Sequence, residues 1–351
     1  MSRLSPGVIR AARLCSVLGA ALALAASGGC SSSGSRNDAG AGTGGAGATG
    51  TGGAGPAGTG GAGTGGSGGA SPAFTIVTPD FTLQPSTTAS YCYYFHAPNT
   101  AALAVKKWTS DMTPGTHHFV LYAGTAGQPA DGTLTTAACG AVTSTTPPPW
   151  LFASHTAHEE LTLPADDGTG KPVGMALSAG QPMFIQMYFV NATASTVTPA
   201  HVTLSAYAYP AGTTYTQTDA FVTYNSMISI APQATGVVAS KTCNVPSGAK
   251  FWRVSTESHM QSTATDLKDG ASILFMSTNW ENPGAMTWLA APFYTFASGG
   301  MTYECTYNNT GANMAHAIHS GSSPDTDEVC MGIGYFFPST GPKFCLDSTT
   351  F

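Results

Sequence analysis

Between Phe74 and Phe351 the chain offers few stretches that could hold an amphipathic helix. Short runs rich in Thr, Ser, Tyr, Phe and Val recur instead, each cut off by Gly or Pro. Phe119–Tyr122, Met183–Val190, His201–Tyr209 and Ala271–Met276 read as strands, because β-branched and aromatic side chains fit a pleated, half-buried surface. Residues 201–209 alternate strongly enough to bury one face and leave the other in water. Turn signals at this spacing favour antiparallel sandwiches over βαβ units. About 280 residues exceed what one sandwich normally needs. A break at Tyr209-Pro210-Ala211-Gly212 divides them. The expected fold is all-β: two tandem antiparallel β-sandwich, jelly-roll-like domains over 73–212 and 213–351, with a cleft between them.

What precedes residue 73 belongs to export rather than to a core. Arg3, Arg10 and Arg13 lead into an apolar run from Leu14 to Ala26, and Ser27-Gly28-Gly29-Cys30 follows. A basic start, a short apolar stretch and small residues describe a secretory leader, shorter than the ~20 residues of a spanning helix. The Cys after small residues resembles a bacterial lipobox, with Ser27 where Leu is usual. Residues 1–30 thus read as a lipoprotein-type signal peptide. Cys30 would be the lipid-bearing N-terminus, and Ser31 points to the outer membrane. The alternative is ordinary cleavage near Ala23-Leu24-Ala25, which would release a soluble periplasmic or secreted protein. Residues 31–72 form a Gly/Ala/Thr/Ser linker, with 18 glycines between Ser31 and Ala70. Such a composition cannot offset its conformational entropy by burial and reads as a flexible tether. The chain carries 12 Lys+Arg against 18 Asp+Glu, and past residue 72 the balance is 8 to 17. No basic stripe is available to neutralise phosphates, which excludes a nucleic-acid partner. The lipid at Cys30 is the one expected membrane contact.

Cys15 leaves with the leader. Cys92, Cys139, Cys243, Cys305, Cys330 and Cys345 remain, an even set that in an exported chain reads as three disulfides with fifteen possible pairings. No C-x-x-C pair exists, which argues against a thiolate zinc site. Asp166-Asp167-Gly168-Thr169-Gly170 and Asp325-Thr326-Asp327-Glu328 lack the frame of a calcium loop and read as solvated turns.

All nine histidines lie in the folded part. His117 and His118 are adjacent, and neighbours on a strand face opposite ways unless a strand end or bulge intervenes. Thr113-Pro114-Gly115 just upstream supplies such an irregular start. His155 and His158, in Ser154-His155-Thr156-Ala157-His158-Glu159-Glu160, read as part of a solvated loop. Their alternative is recruitment to a relocated site with His117 and His118. His316 and His319 with Met314 read as a surface loop, or else as a displaced donor set near Glu328-Val329-Cys330. His96 and His201 read as structural.

Tyr91-Cys92-Tyr93-Tyr94-Phe95, the His117-His118 pair about 25 residues on, and then Cys139 resemble the N-terminal domain of the copper type II, ascorbate-dependent monooxygenases. These are the relatives of the peptidylglycine α-hydroxylating and dopamine β-monooxygenases. The likeness continues through Leu163-Pro164, Val173-Gly174-Met175 and Phe184-Ile185-Gln186-Met187-Tyr188. It resumes with Cys243-Asn244-Val245-Pro246, Phe251-Trp252-Arg253-Val254 and Thr256-Glu257-Ser258-His259-Met260-Gln261. It closes with Glu304–Asn309, Asp327-Glu328-Val329-Cys330 and Cys345, and so spans residues 74–351. The resemblance implies disulfides Cys92–Cys139, Cys243–Cys345 and Cys305–Cys330.

It also implies two coppers, one on three histidines for electron transfer and one on His-x-His plus Met for oxygen activation. His117 and His118 match the adjacent pair, and Tyr188 stands where the third histidine is expected. His259 matches the start of His-x-His, Gln261 replaces its second histidine, and Val329 replaces the methionine before the cysteine. Copper cycling needs imidazole or thioether donors. Valine has none, a carboxamide is a poor substitute, and phenolate favours the oxidised ion. Pairing Glu257 with His259 by a register shift still leaves one imidazole. The expected metal residues are therefore His117, His118, Tyr188, His259 and Gln261, with one copper rather than two. The expected function is an exported, membrane-tethered, copper monooxygenase-like protein. It would keep at most one copper at His117/His118 and bind a small-molecule or peptide ligand in the interdomain cleft. The alternative is an active ascorbate-driven monooxygenase with substituted or relocated ligands.

Overall fold

Alternating burial along the strands builds this molecule. Val202–Ala208 buries every second residue at its start, and Gly300–Tyr307 does the same along most of its length. The computed structural model describes residues 71–140 and 146–351, which fall in one compact unit. The leader and nearly all of the tether lie outside the described residues, as does Cys30. Among the described residues there are 25 strands and no α-helix, so the chain is all-β.

Hydrogen-bonded pairing falls into two sets that meet at Thr218. In the first, a sheet ordered Leu134–Thr135, Thr87–His96, Pro182–Asn191, Thr116–Ala123, Trp150–Ser154 is accompanied by a six-stranded sheet built around Leu103–Met112 and Val202–Ala208. In the second, Lys250–Ser258, Cys330–Phe337 and Asp219–Tyr224 are neighbours in one sheet, and Val237–Asn244, Gly300–Tyr307, Ser262–Asp269 and Ser272–Ser277 form another. All three disulfide pairings implied by the resemblance form, with Cα–Cα separations of 6.2, 6.2 and 5.8 Å.

Cys330–Phe337 is buried at every residue because both its faces are covered. Val329, Met331, Ile333, Tyr335 and Phe337 join one apolar cluster with Trp150, Leu151 and Phe152 of the first set. Cys330 and Phe336, on the opposite face, join a second cluster with Phe221, Phe251, Leu267 and Met301. This is the two-residue period of a strand with two cores to fill. Gly334 makes the second contact close, since a Cβ there would lie 2.6 Å from the Phe251 ring. The strand that carries the apolar bridge between the two sets also leads directly from Glu328 and Val329 at the candidate site.

Two sequence expectations need correction. Segment 154–160 is not simply a solvated loop: Ser154 ends a buried strand, and the His155 side chain is only 13% exposed. His158, 64% exposed, does remain at the surface against Asp111. The acidic turns are solvated only in part: Asp166, Gly168, Thr169, Gly170 and Thr326 are exposed, but each turn buries one carboxylate. Asp167 is buried, and its carboxylate accepts hydrogen bonds from Thr169 and Thr216, while Glu328 is fully buried. In each case a tight turn presents backbone or hydroxyl donors that water would otherwise supply.

Candidate metal centre

His117 and His118 come to one face through a β-bulge. Against Pro182–Asn191, His118 pairs with Tyr188 and Thr116 pairs with Phe189, so His117 is an extra residue without a partner. The bulge follows a tight turn in which Thr116 donates to the Thr113 carbonyl from both its backbone N–H and its hydroxyl. Gly115 holds φ at +88°, and a Cβ there would lie 2.9 Å from Leu83. The two imidazole Nδ1 atoms are 3.0 Å apart, and the His117 ring stacks on Trp280 at 5.2 Å. The Thr-Pro-Gly signal thus does what the adjacent pair required.

The structure gathers His118 with His155 and Glu257. His155 leaves the end of Trp150–Ser154, where the buried Ser154 hydroxyl bonds both the N–H and the carbonyl of Thr156 and turns the chain inward. Glu257 is the penultimate residue of Lys250–Ser258, buried between Thr256 and Ser258. One donor atom from each of the three lies within 4.8 Å of the others, and this is the one such cluster among the described residues. His155 Nε2 and Glu257 Oε2 are 2.7 Å apart, a buried ion pair.

Electrostatics prepares the donors. Burial drives His118 down to about 3, with His155 and His117 adding to the shift against Glu257, so its ring stays neutral with a free lone pair. Burial would raise Glu257, but the charge of His155 outweighs it and holds the carboxyl at about 2. Burial likewise opposes protonation of His155, and Glu257 overcomes it and raises that imidazole. The result is a neutral imidazole, an anionic carboxylate and a second imidazole whose proton a cation would displace.

The remaining predicted residues take other partners. The Tyr188 hydroxyl donates to Asp325 Oδ1 at 3.0 Å, and burial followed by Asp325 raises the phenol. Its ring packs on His117 and His118, each at 5.6 Å. The His259 backbone N–H donates to Glu328, and its Nδ1 lies 2.9 Å from the Asp327 carbonyl. The Gln261 N–H also donates to Glu328, while its buried side-chain oxygen has no partner. His316, His319 and Met314 are exposed, and His96 and His201 sit at the surface beside Asp131 and Asp80. Sequence reasoning weighed His155 and Glu257 separately but never together.

A cavity of about 310 Å³ opens beside the cluster. His118, Glu257 and His259 form part of its wall, facing Tyr122, Val329 and Met331. Loop residues from Gly321 to Asp327 cover one side, tied down where Asp325 accepts hydrogen bonds from Thr88 and Tyr188.

No protein-family model matches the chain, and no curated protein matches it in sequence. Among solved structures, it is similar to the crystal structure of the STIV MCP at 10% identity, covering 75% of this chain and 96% of that one, with a TM-score of 0.28. It is similar to the crystal structure of the PBSX exported protein XepA at 8% identity, covering 75% and 86%, with a TM-score of 0.20.

Proposed function

We propose that this chain is an exported, lipid-anchored metal-binding protein that holds one ion at His118, His155 and Glu257. The cavity beside that cluster would receive a small-molecule or peptide ligand. The observation that carries this reading is the convergence of His118, His155 and Glu257, one donor atom of each lying within 4.8 Å of the others. Two imidazoles and one carboxylate suit copper, zinc or non-haem iron. Copper is the proposed ion, because it binds nitrogen and oxygen donors most tightly among first-row divalent ions and because the sequence resembles copper enzymes. His117 and Tyr188 would support the ring of His118 from outside the donor set.

A second reading, an active monooxygenase with relocated ligands, draws on one observation. His155 and Glu257 stand together beside a cavity that His259 also lines. Metal-stripped full-length protein titrated with Cu(II) separates the two. One copper per chain, without ascorbate-driven oxygen uptake, supports the binding role; two coppers with uptake support the enzyme. Binding that is indifferent to both His155→Ala and Glu257→Gln removes the proposed centre.

A further inference from the structure

A second cavity, of about 270 Å³, has His155 in its wall. Trp150 lines both cavities, but their chemistry differs. The charged groups lining the cavity at His118 include Glu257 and Asp327 and no lysine or arginine. The second cavity is lined by Arg253, the one arginine among residues 71–351. A bulge aims it there: Phe251 pairs with Phe336 and Arg253 with Tyr335, which leaves Trp252 as the extra residue. The guanidinium carries five N–H donors, and Nη2 donates to Glu159 Oε1 at 3.0 Å. No other protein acceptor engages it among the described residues. Trp150 adds an aromatic wall, its side chain only 6% exposed. Phe152, Leu161 and Tyr335 give the same cavity apolar walls.

We infer that this cavity binds a small carboxylate, its oxygens on Arg253 and its carbon skeleton between Trp150, Phe152 and Tyr335. A planar fork of unused donors in a chain otherwise short of positive charge suits a carboxylate better than a neutral ligand. Glu159 occupies part of the fork and competes with the incoming ligand. The inference does not rest on the metal reading and is tested without metal.

The test is calorimetric titration of EDTA-treated, full-length protein with benzoate, using benzamide as its neutral counterpart and the Trp indole N–H resonances as a second readout. Benzoate should bind at least about tenfold more tightly than benzamide, since a charge-assisted hydrogen bond is the stronger kind. Arg253→Gln should weaken benzoate about tenfold or more and leave benzamide unchanged. Glu159→Gln should strengthen benzoate several-fold by releasing the guanidinium, which keeps the idea testable if the Arg253 variant folds poorly. Equal binding of the two probes, no benzoate binding by the wild type, or a Glu159→Gln variant with no gain would each overturn it.

Discussion

His155→Ala is the most informative perturbation of the candidate centre in the metal-free protein. His155 and Glu257 side chains are 13% and 11% exposed, so solvent screens them little. Removing one partner of a buried pair leaves an uncompensated charge and typically costs about 3–5 kcal/mol. The value should sit toward the lower end here, because Glu257 can take up a proton once the charge holding it near 2 is gone. Urea unfolding at pH 7 in EDTA, disulfides intact, reads this directly: with m of about 3 kcal/mol/M, the midpoint falls by about 1 M. In a Glu257→Gln background the same substitution should cost about 1–3 kcal/mol less, which is the coupling between them. The pH dependence has a definite sign. Glu257 is depressed, so its contribution is present above the unfolded carboxyl pKa of about 4.3 and is lost as pH falls toward 2. His155 is raised, so its contribution is complete below about 6.5 and is lost as pH rises through the folded value. A cost under about 1 kcal/mol, or equal costs in both backgrounds, would refute the reasoning that these two groups are a buried ionic pair.

Further outcomes follow from the same geometry. At about 100 times its Kd, the ion that titrates to one per chain should stabilise the protein by about 2.7 kcal/mol and raise Tm by about 5–8 °C; scanning calorimetry should show no rise in His118→Ala. Glu328→Ala strips the acceptor from the His259 and Gln261 N–H groups and should cost about 2–4 kcal/mol in urea unfolding. Because burial holds Glu328 up at about 7, the wild type should lose stability as pH rises through 7, a slope absent from the variant. Gly334→Ala drives a methyl into the Phe251 ring and should cost about 1–3 kcal/mol, with an unchanged Tm counting against the close sheet contact described above.

Several features could be read before any coordinates because their signals are local. Alternation over 201–209 predicts the Val202–Ala208 strand, and Thr113-Pro114-Gly115 predicts an irregularity beside the paired histidines. The ligand set is different. His155 reads as loop because Ser, Thr and charged neighbours surround it, yet the buried Ser154 hydroxyl turns it inward. Glu257 reads as a partner for His259, two residues away on the same face of an extended strand. At the end of Lys250–Ser258 the chain turns at His259, whose backbone is bound to Glu328, and Glu257 meets His155 instead. Arg253 drew no attention as a site residue, since a lone arginine in a strand has no motif around it.

Composition and short-range pattern were enough to establish an all-strand protein and an even cysteine set free to pair. Those properties depend on neighbouring residues and on totals, which survive in one dimension. Which imidazole meets which carboxylate depends on how two sets of sheets approach across Val329–Phe337, where apolar area and glycine clearance set the fit. That approach sums many weak long-range contacts, so the His118–His155–Glu257 cluster emerged only once the chain was folded.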